Sequence, residues 1–318
     1  GRLAAIRVRK KYKTRVIYTA HGFHFFKGAA LLNWVVFYPI EKFLAKYTDD
    51  LITINREDYA LAKSKFHTDV HFVHGVGIDL KKYNSQIKNI DKKNIRARLG
   101  LQVNDIIVIY PAELSKRKRQ LWLVESISEI IHKNNKVHIL LPGRDSLNGQ
   151  VQELTKKLGV DKQVHCVGFR NDIPELLAAS DIAVSAAQQE GLPVNIMEAL
   201  VMKLPIIATN CRGNRDLLDG QPDTALIQKN DKNAFANTLS KYIDLYAHQQ
   251  KSVKRNITLT STISLTSTLN EMSKIYNKKG LSAVFIHDFR FSIYKNKVYG
   301  EGQFEYNYLW KRKYLTLF

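Results

Sequence analysis

Two glutamates, Glu190 and Glu198, flank the start of one predicted helix, and a carboxylate at a helix start is a chemically useful arrangement. The stretch from Gln189 to Ala199 reads QEGLPVNIMEA. It follows an apolar run, Asp181 to Ser185, that predicts a short buried strand ending in small residues. Gly191 and Pro193 interrupt the pattern, and Val194 to Met202 then has helical spacing. Glu190 therefore falls before the first turn and Glu198 inside the helix. A helix start offers unpaired N–H groups and partial positive charge, which suits a diphosphate. A carboxylate beside such a site accepts hydrogen bonds from ribose or sugar hydroxyls. A solvated loop glutamate followed by a surface helix glutamate would show the same spacing, so the pair alone leaves both readings open.

Other residues fit the same chemistry. The loop Pro111 to Gln120 carries Lys116, Arg117, Lys118 and Arg119 in succession. Cations near a helix start oppose its dipole, a cost that a bound anion offsets. Lysine or arginine on a leaving diphosphate is the reaction such a loop would serve, and a solvated helix start is the plainer alternative. The turn Gly168 to Asp172, with Phe169 and Arg170, follows a predicted strand and either contacts a nucleobase or is a simple turn. His21 ends another predicted strand, where open α/β sheets place ligand groups. A lone histidine is also commonly structural. Cys166 and Cys211 lack metal-ligand spacing and read as reduced thiols.

Strands alternate with helices between Asp105 and Thr209, which predicts a parallel sheet covered on both faces. A length of 318 residues allows about two domains. The formal net charge of +20 and pI near 9.7 call for an anionic partner, whether phosphorylated ligand, lipid surface or nucleic acid. The chain lacks the aromatic-plus-basic motif of a nucleic-acid reader, so no nucleic-acid partner is expected. No apolar run is long enough to span a bilayer. The basic start, from Arg2 through Lys13 to Arg15, reads as a solvated helix face or as a contact with phosphate or membrane. The segment Phe23 to Lys46 is aromatic and flanked by Lys27, Lys42 and Lys46. It fits a core helix kinked by Pro39, or a surface that lies on anionic lipid. Residues 80–95 are polar and basic and read as a crossing between domains. The segment 281–318 restarts a strand pattern at Ala283 to His287 and has no place in the preceding alternation.

EGLPVNIMEAL followed by KLPIIATNCRGNRDLL resembles the donor-binding segment of the family-four retaining glycosyltransferases, with Glu190 and Glu198 as their E-x7-E motif. TAHGFHFFKGAALLNWVVFYPIEKFLAKYTDDLITINREDY, VHGVGIDLKKYN, PAELSKRKRQ, VGFRNDIPELLAASD and GNRDLL resemble the branch that builds capsule and exopolysaccharide units on a lipid carrier. The resemblance spans roughly residues 1–278. It implies an α/β GT-B fold, with two Rossmann-like domains facing a cleft and the N-terminal one incomplete. The expected divisions are 1–84 on the acceptor side, 85–262 for nucleotide-sugar, a helix at 263–280 and an extra tail at 281–318.

By motif position the resemblance gives Glu198 the ribose and Glu190 the transferred sugar. The backbone of Gly191, Leu192, Pro193 and Val194 would meet the diphosphate, and Lys118 the phosphates. Gly168, Phe169 and Arg170 belong to the nucleotide-sugar side, and His21 lies near the donor sugar. Glu113 stands where the family often has arginine, so Arg117 or Lys116 would complete the charge clamp. No metal and no cofactor are implied, because cationic side chains serve the diphosphate. The implied partners are a UDP-sugar donor, a lipid-linked saccharide acceptor and an anionic membrane contacted peripherally, with a cytoplasmic location at the inner membrane face. The tail resembles the opening of a second glycosyltransferase, so a truncated remnant is one alternative and a UDP-sugar epimerase another.

Overall fold

The first strand of the chain ends in the loop that carries His21, and its surroundings explain how that loop is held. The computed structural model describes residues 2–12, 14–87, 90–247, 257–277, 283–287 and 290–293. Lys13 and the tail from 294 to 318 lie outside the described residues. The chain divides into two units, one formed by residues up to Val73 with those from Met272 onward, the other by His74–Glu271.

The first unit opens with α1 (Arg2–Tyr12), β1 (Arg15–Ala20), α2 (Leu31–Ala45), β2 (Asp50–Thr53), α3 (Arg56–Lys65) and β3 (Asp69–Phe72). β2 pairs in parallel with both β1 and β3. β1 and β2 are buried almost throughout, as expected of strands covered on both faces. Asn55 caps α3 by accepting from the Asp58 amide. The buried Asp58 carboxylate in turn accepts from the Phe23 amide at 3.0 Å. That bond, and the stacking of Phe23 on Phe25 at 4.8 Å, pins the loop after β1.

Helix α2 runs through Pro39 and has two unlike faces. Trp34 and Tyr38 pack on Phe25 and belong to the core. Leu31 is 78% exposed, Val35 63% and Phe43 50%, with Leu32 and Ile40 also open to solvent. The core reading of this segment therefore holds for one face only.

The second unit contains α4 (Leu80–Ile87), α5 (Lys92–Arg98), β4 (Ile106–Ile109), α6 (Gln120–Lys133), β5 (Val137–Pro142), α7 (Gln150–Lys157), β6 (Val164–Gly168) and α8 (Ile173–Ala179). It continues with β7 (Ile182–Ser185), α9 (Val194–Val201), β8 (Ile206–Thr209), α10 (Arg212–Leu218), β9 (Thr224–Ile227), α11 (Lys232–Tyr242), α12 (Ile257–Thr262) and α13 (Leu265–Tyr276), whose last turns belong to the first unit. Its sheet order is β6-β5-β4-β7-β8-β9, with every pairing parallel. The chain winds outward from β4 through β5 and β6, then returns to the other side of β4 as β7. Such a reversal opens a crevice at the carboxyl ends of the two central strands, and ligands of open α/β sheets bind there.

Three features depart from the sequence expectation. Residues 80–95 contain α4 and the start of α5 instead of a plain polar crossing. Arg96 fastens α5 by donating to both Asp181 oxygens at 2.9 Å and to the carbonyls of Ala179, Val103 and Asp105. A fifth helix–strand step after β4, made of α10 and β9, extends the sheet. Finally, two pieces of the segment that had no place find one: β10 (Ala283–His287) and β11 (Arg290–Ile293) give the first unit the order β11-β10-β1-β2-β3. β10 runs parallel to β1, from Arg15 opposite Ala283 to Thr19 opposite His287, and satisfies the backbone groups of an otherwise open edge.

Candidate functional site

β4 and β7 are neighbours at the reversal of the second sheet, so the loops that follow them meet. The first, Tyr110 to Arg119, is folded back on itself. The fully buried Tyr110 donates its hydroxyl to the Lys118 carbonyl at 3.0 Å. Gln120 accepts from the Ser115 amide at 3.1 Å and donates to the Glu113 carbonyl at 2.9 Å. Because α6 begins only at Gln120, the four cations sit in the turn before it and fan out. Lys116 is exposed, and Arg119, with a left-handed φ of 61°, lies over the Trp122 ring and donates to Asn230. Arg117 and Lys118 point to the loop after β7.

Glu190 receives them. Its carboxylate is 6% exposed, with Lys118 Nζ 2.5 Å from Oε1 and Arg117 Nη1 3.1 Å from Oε2. Arg117 also donates to the Gln189 carbonyl at 3.1 Å, and its own carbonyl accepts from the Gln188 amide at 2.9 Å. The two loops are thereby joined by both backbone and charge. Arg212 donates to the Glu190 carbonyl at 3.2 Å. Of Arg117 and Lys116, it is Arg117 that shares Glu190 with Lys118. Glu113 instead accepts from Ser146 at the outer side of the loop.

Beyond Glu190 the chain turns through Gly191, Leu192 and Pro193 into α9. Leu192 and Pro193 are buried, whereas Val194 is 41% exposed. Pro193 offers no side-chain cap, and the Ile196 amide donates to the Asn195 side-chain oxygen at 3.0 Å, so the amides before it depend on some other acceptor. Gly213, at the start of α10, supports this loop from below. A Cβ there would lie 2.4 Å from the Gly191 carbonyl oxygen, a distance no side chain tolerates.

Glu198 lies one turn into α9 and is half-buried. Its partner is Tyr83 of α4, whose hydroxyl donates to Oε1. Burial pushes the Glu198 carboxyl above the usual range, and the Tyr83 hydrogen bond partly reverses this. Burial, and then the charge of Glu198, push the Tyr83 phenol far above its ordinary value. At the neighbouring strand end, Gly168 adopts φ 69° and its carbonyl accepts from the Gly143 amide. Phe169 is 62% exposed with the Arg144 guanidinium 5.2 Å from its ring centre. Arg170 is paired with Asp172, which it holds from Nε at 2.8 Å, so its backbone is more available than its side chain.

The second unit therefore brings together Lys118, Arg117 and Glu190 beside Gly191–Val194, with Glu198 further along the same helix. His21 follows β1 in the first unit and is exposed. Among the described residues, no group of three or more His, Cys, Asp or Glu is placed to hold a metal ion. A cavity of about 200 Å³ lies under the outer side of the cationic loop, lined by Lys116, Arg119 and Trp122 among others, and touches none of the clamp residues. Sequence reasoning missed Tyr83, Arg212 and Gly213. Leu80, Tyr83 and Ile87 do have helical spacing in an otherwise polar stretch, and that was the available signal for Tyr83.

Residues 105–244 match the family described as glycosyl transferases group 1. The chain is 34% identical over 279 residues to the putative glycosyltransferase EpsD of Bacillus subtilis, covering 87% of this chain and 73% of that protein. It is 30% identical over 234 residues to the UDP-Gal:alpha-D-GlcNAc-diphosphoundecaprenol alpha-1,3-galactosyltransferase of Escherichia coli, covering 72% and 60%. In structure it is similar to Anabaena Alr3699/HepE in complex with UDP and glucose, with TM-score 0.71 at 20% identity, over 88% of this chain and 75% of that one. The sucrose-phosphate synthase of Thermosynechococcus elongatus gives TM-score 0.72 at 17% identity, over 87% and 71%. These likenesses show the GT-B fold.

Proposed function

This chain belongs to the group 1 glycosyl transferases, and on that premise we propose that it transfers a sugar, with retention, from a UDP-sugar to a saccharide carried on a polyprenyl diphosphate in capsule or exopolysaccharide synthesis. The observation that carries the reading is the clamp of Lys118 and Arg117 on Glu190, at the uncapped start of α9. The ammonium and guanidinium lie against the loop that leads into those helix-start amides, and in this reading a diphosphate accepts from all three. Charge grows on that diphosphate as the glycosidic bond breaks. Fixed donors aimed at it lower the barrier most, because they need no rearrangement during the reaction.

The remaining roles are assigned by motif position. Glu190 orients both cations and accepts from hydroxyls of the transferred sugar. Glu198 accepts from the ribose, and the turn Gly168–Phe169–Arg170 meets the nucleobase. His21 is assigned to the donor sugar by the same motif likeness. Retention proceeds by attack on the face from which the diphosphate leaves, so no protein nucleophile is assigned. The names of two relatives support the substrates: one transfers from UDP-Gal to a diphosphoundecaprenol carrier, and another has been seen with UDP and glucose. The purified protein, given UDP-sugars and a short polyprenyl-diphosphate saccharide, should release UDP only when the acceptor is present. Conversion of the UDP-sugar without acceptor would favour an epimerase, and no turnover would contradict the assignment.

Peripheral contact at the inner membrane face belongs to the same proposal. Among the described residues no helix is long and apolar enough to cross a membrane. The outer face of α2, with Leu31, Leu32, Val35, Ile40 and Phe43 exposed and Lys42 and Lys46 beside them, suits a helix lying in an anionic interface. The protein is expected to float with vesicles containing anionic lipid and to lose this with Val35→Glu and Phe43→Glu together. Unchanged sedimentation with such vesicles would remove membrane contact from the account.

A further inference from the structure

Glu198 is half-buried in α9, and a buried carboxylate needs partners for its lone pairs. One partner is identified by geometry: the Tyr83 hydroxyl donates to Oε1. Tyr83 is 7% exposed and comes from a helix far away in sequence.

The path into that helix is tightly anchored. The Ile78 amide donates to the Ile263 carbonyl at 2.8 Å, and the Leu265 amide to the Ile78 carbonyl at 2.8 Å. Gly77, at φ 72°, lies so close to α13 that a Cβ would sit 2.6 Å from Leu265 Cα. Gly75, at φ 70°, is as close to the donor loop, where a Cβ would be 2.7 Å from Leu192 Cδ2. Asp79 then caps the start of α4 by accepting from the Lys82 amide at 3.0 Å. The phenol is thus delivered from a fixed base, and α4 itself packs on α8.

We propose that Tyr83 is a positioning residue for the nucleoside end of the donor: its hydroxyl holds one oxygen of Glu198, which fixes the carboxylate and leaves the other oxygen to accept from the ribose diol. This rests on the ribose role of Glu198. An ionised carboxylate accepts at about four positions, so one tyrosine and two ribose hydroxyls are compatible partners. Without the phenol the carboxylate would have to be oriented at the moment of binding, which weakens the donor without changing the chemical step. The same bond favours the ionised form of Glu198 against the effect of burial. Ribose hydroxyls donate, so the ionised carboxylate is the binding form. Affinity then falls as pH is lowered through the Glu198 pKa, and without Tyr83 that fall begins at higher pH.

The test titrates UDP and 2′,3′-dideoxy-UDP into wild type, Tyr83→Phe and Glu198→Gln, with donor KM and kcat measured alongside. Tyr83→Phe should weaken UDP about tenfold, raise donor KM in step and keep kcat within about twofold. Its pH dependence should move upward. Dideoxy-UDP should bind wild type and Tyr83→Phe alike, because the diol is gone. A lost cap on packing alone would weaken both ligands equally, and that result overturns the proposal. Unchanged or tighter UDP binding by Tyr83→Phe, with Glu198→Gln impaired, also overturns it. If Glu198→Gln binds UDP as wild type does, the ribose role of Glu198 fails first, and the proposal with it.

Discussion

Replacing Lys118 by methionine is expected to lower kcat/KM for the sugar donor by about 10²- to 10³-fold, the usual cost of removing one donor aimed at developing charge. Methionine keeps the length and most of the volume of the side chain, so the loss reports on the ammonium. The loop itself should stay in place, because it is held by the Tyr110 hydroxyl on the Lys118 carbonyl and by Gln120 on Ser115 and Glu113. Glu190 keeps Arg117 as a partner. Steady-state kinetics with a thermal melt of both proteins checks this. A variant that melts like wild type and turns over at the wild-type rate would take Lys118 out of the reaction.

Gly213→Ala should be nearly as damaging, although residue 213 touches no substrate in this account. The new methyl would be 2.4 Å from the Gly191 carbonyl oxygen and 3.0 Å from Pro193 Cδ, so the loop or α10 must move. The loop amides and Glu190 move with it. A displacement on the order of 1 Å at a reacting centre can reduce turnover about 10²-fold. The expected signature is a large fall in kcat, weaker UDP binding and a circular dichroism spectrum close to that of wild type. Full activity would show that the loop adapts without cost and that its exact position is unimportant.

The parallel sheet of the second unit was legible because its strands are near-continuous apolar runs: β4 reads IIVI and β7 reads IAVS. Helices α6 and α9 declared themselves by periodicity and by the turn residues before them. What stayed hidden involves either short polar helices or distant pairing. Helix α4 has eight residues and a sparse apolar face, so Tyr83 looked like part of a crossing. The partnership of Tyr83 with Glu198 spans 115 positions and that of Lys118 with Glu190 spans 72, and spacing says nothing about such contacts. Resemblance assigned Lys118 and Glu190 to different parts of the donor and did not pair them. The pairing of β10 with β1 likewise has no local signal. For α2, composition allowed a core helix or a lipid-facing one, and the structure shows that its two faces differ.

The central claim is that the second unit grips a diphosphate, and paired titrations of UDP and uridine test it most directly. UDP should bind wild type at least about 10²-fold more tightly than uridine, because only UDP reaches Lys118, Arg117 and the start of α9. In Lys118→Met that preference should shrink at least tenfold. Equal affinity for the two ligands, or a preference that Lys118→Met leaves intact, would contradict it.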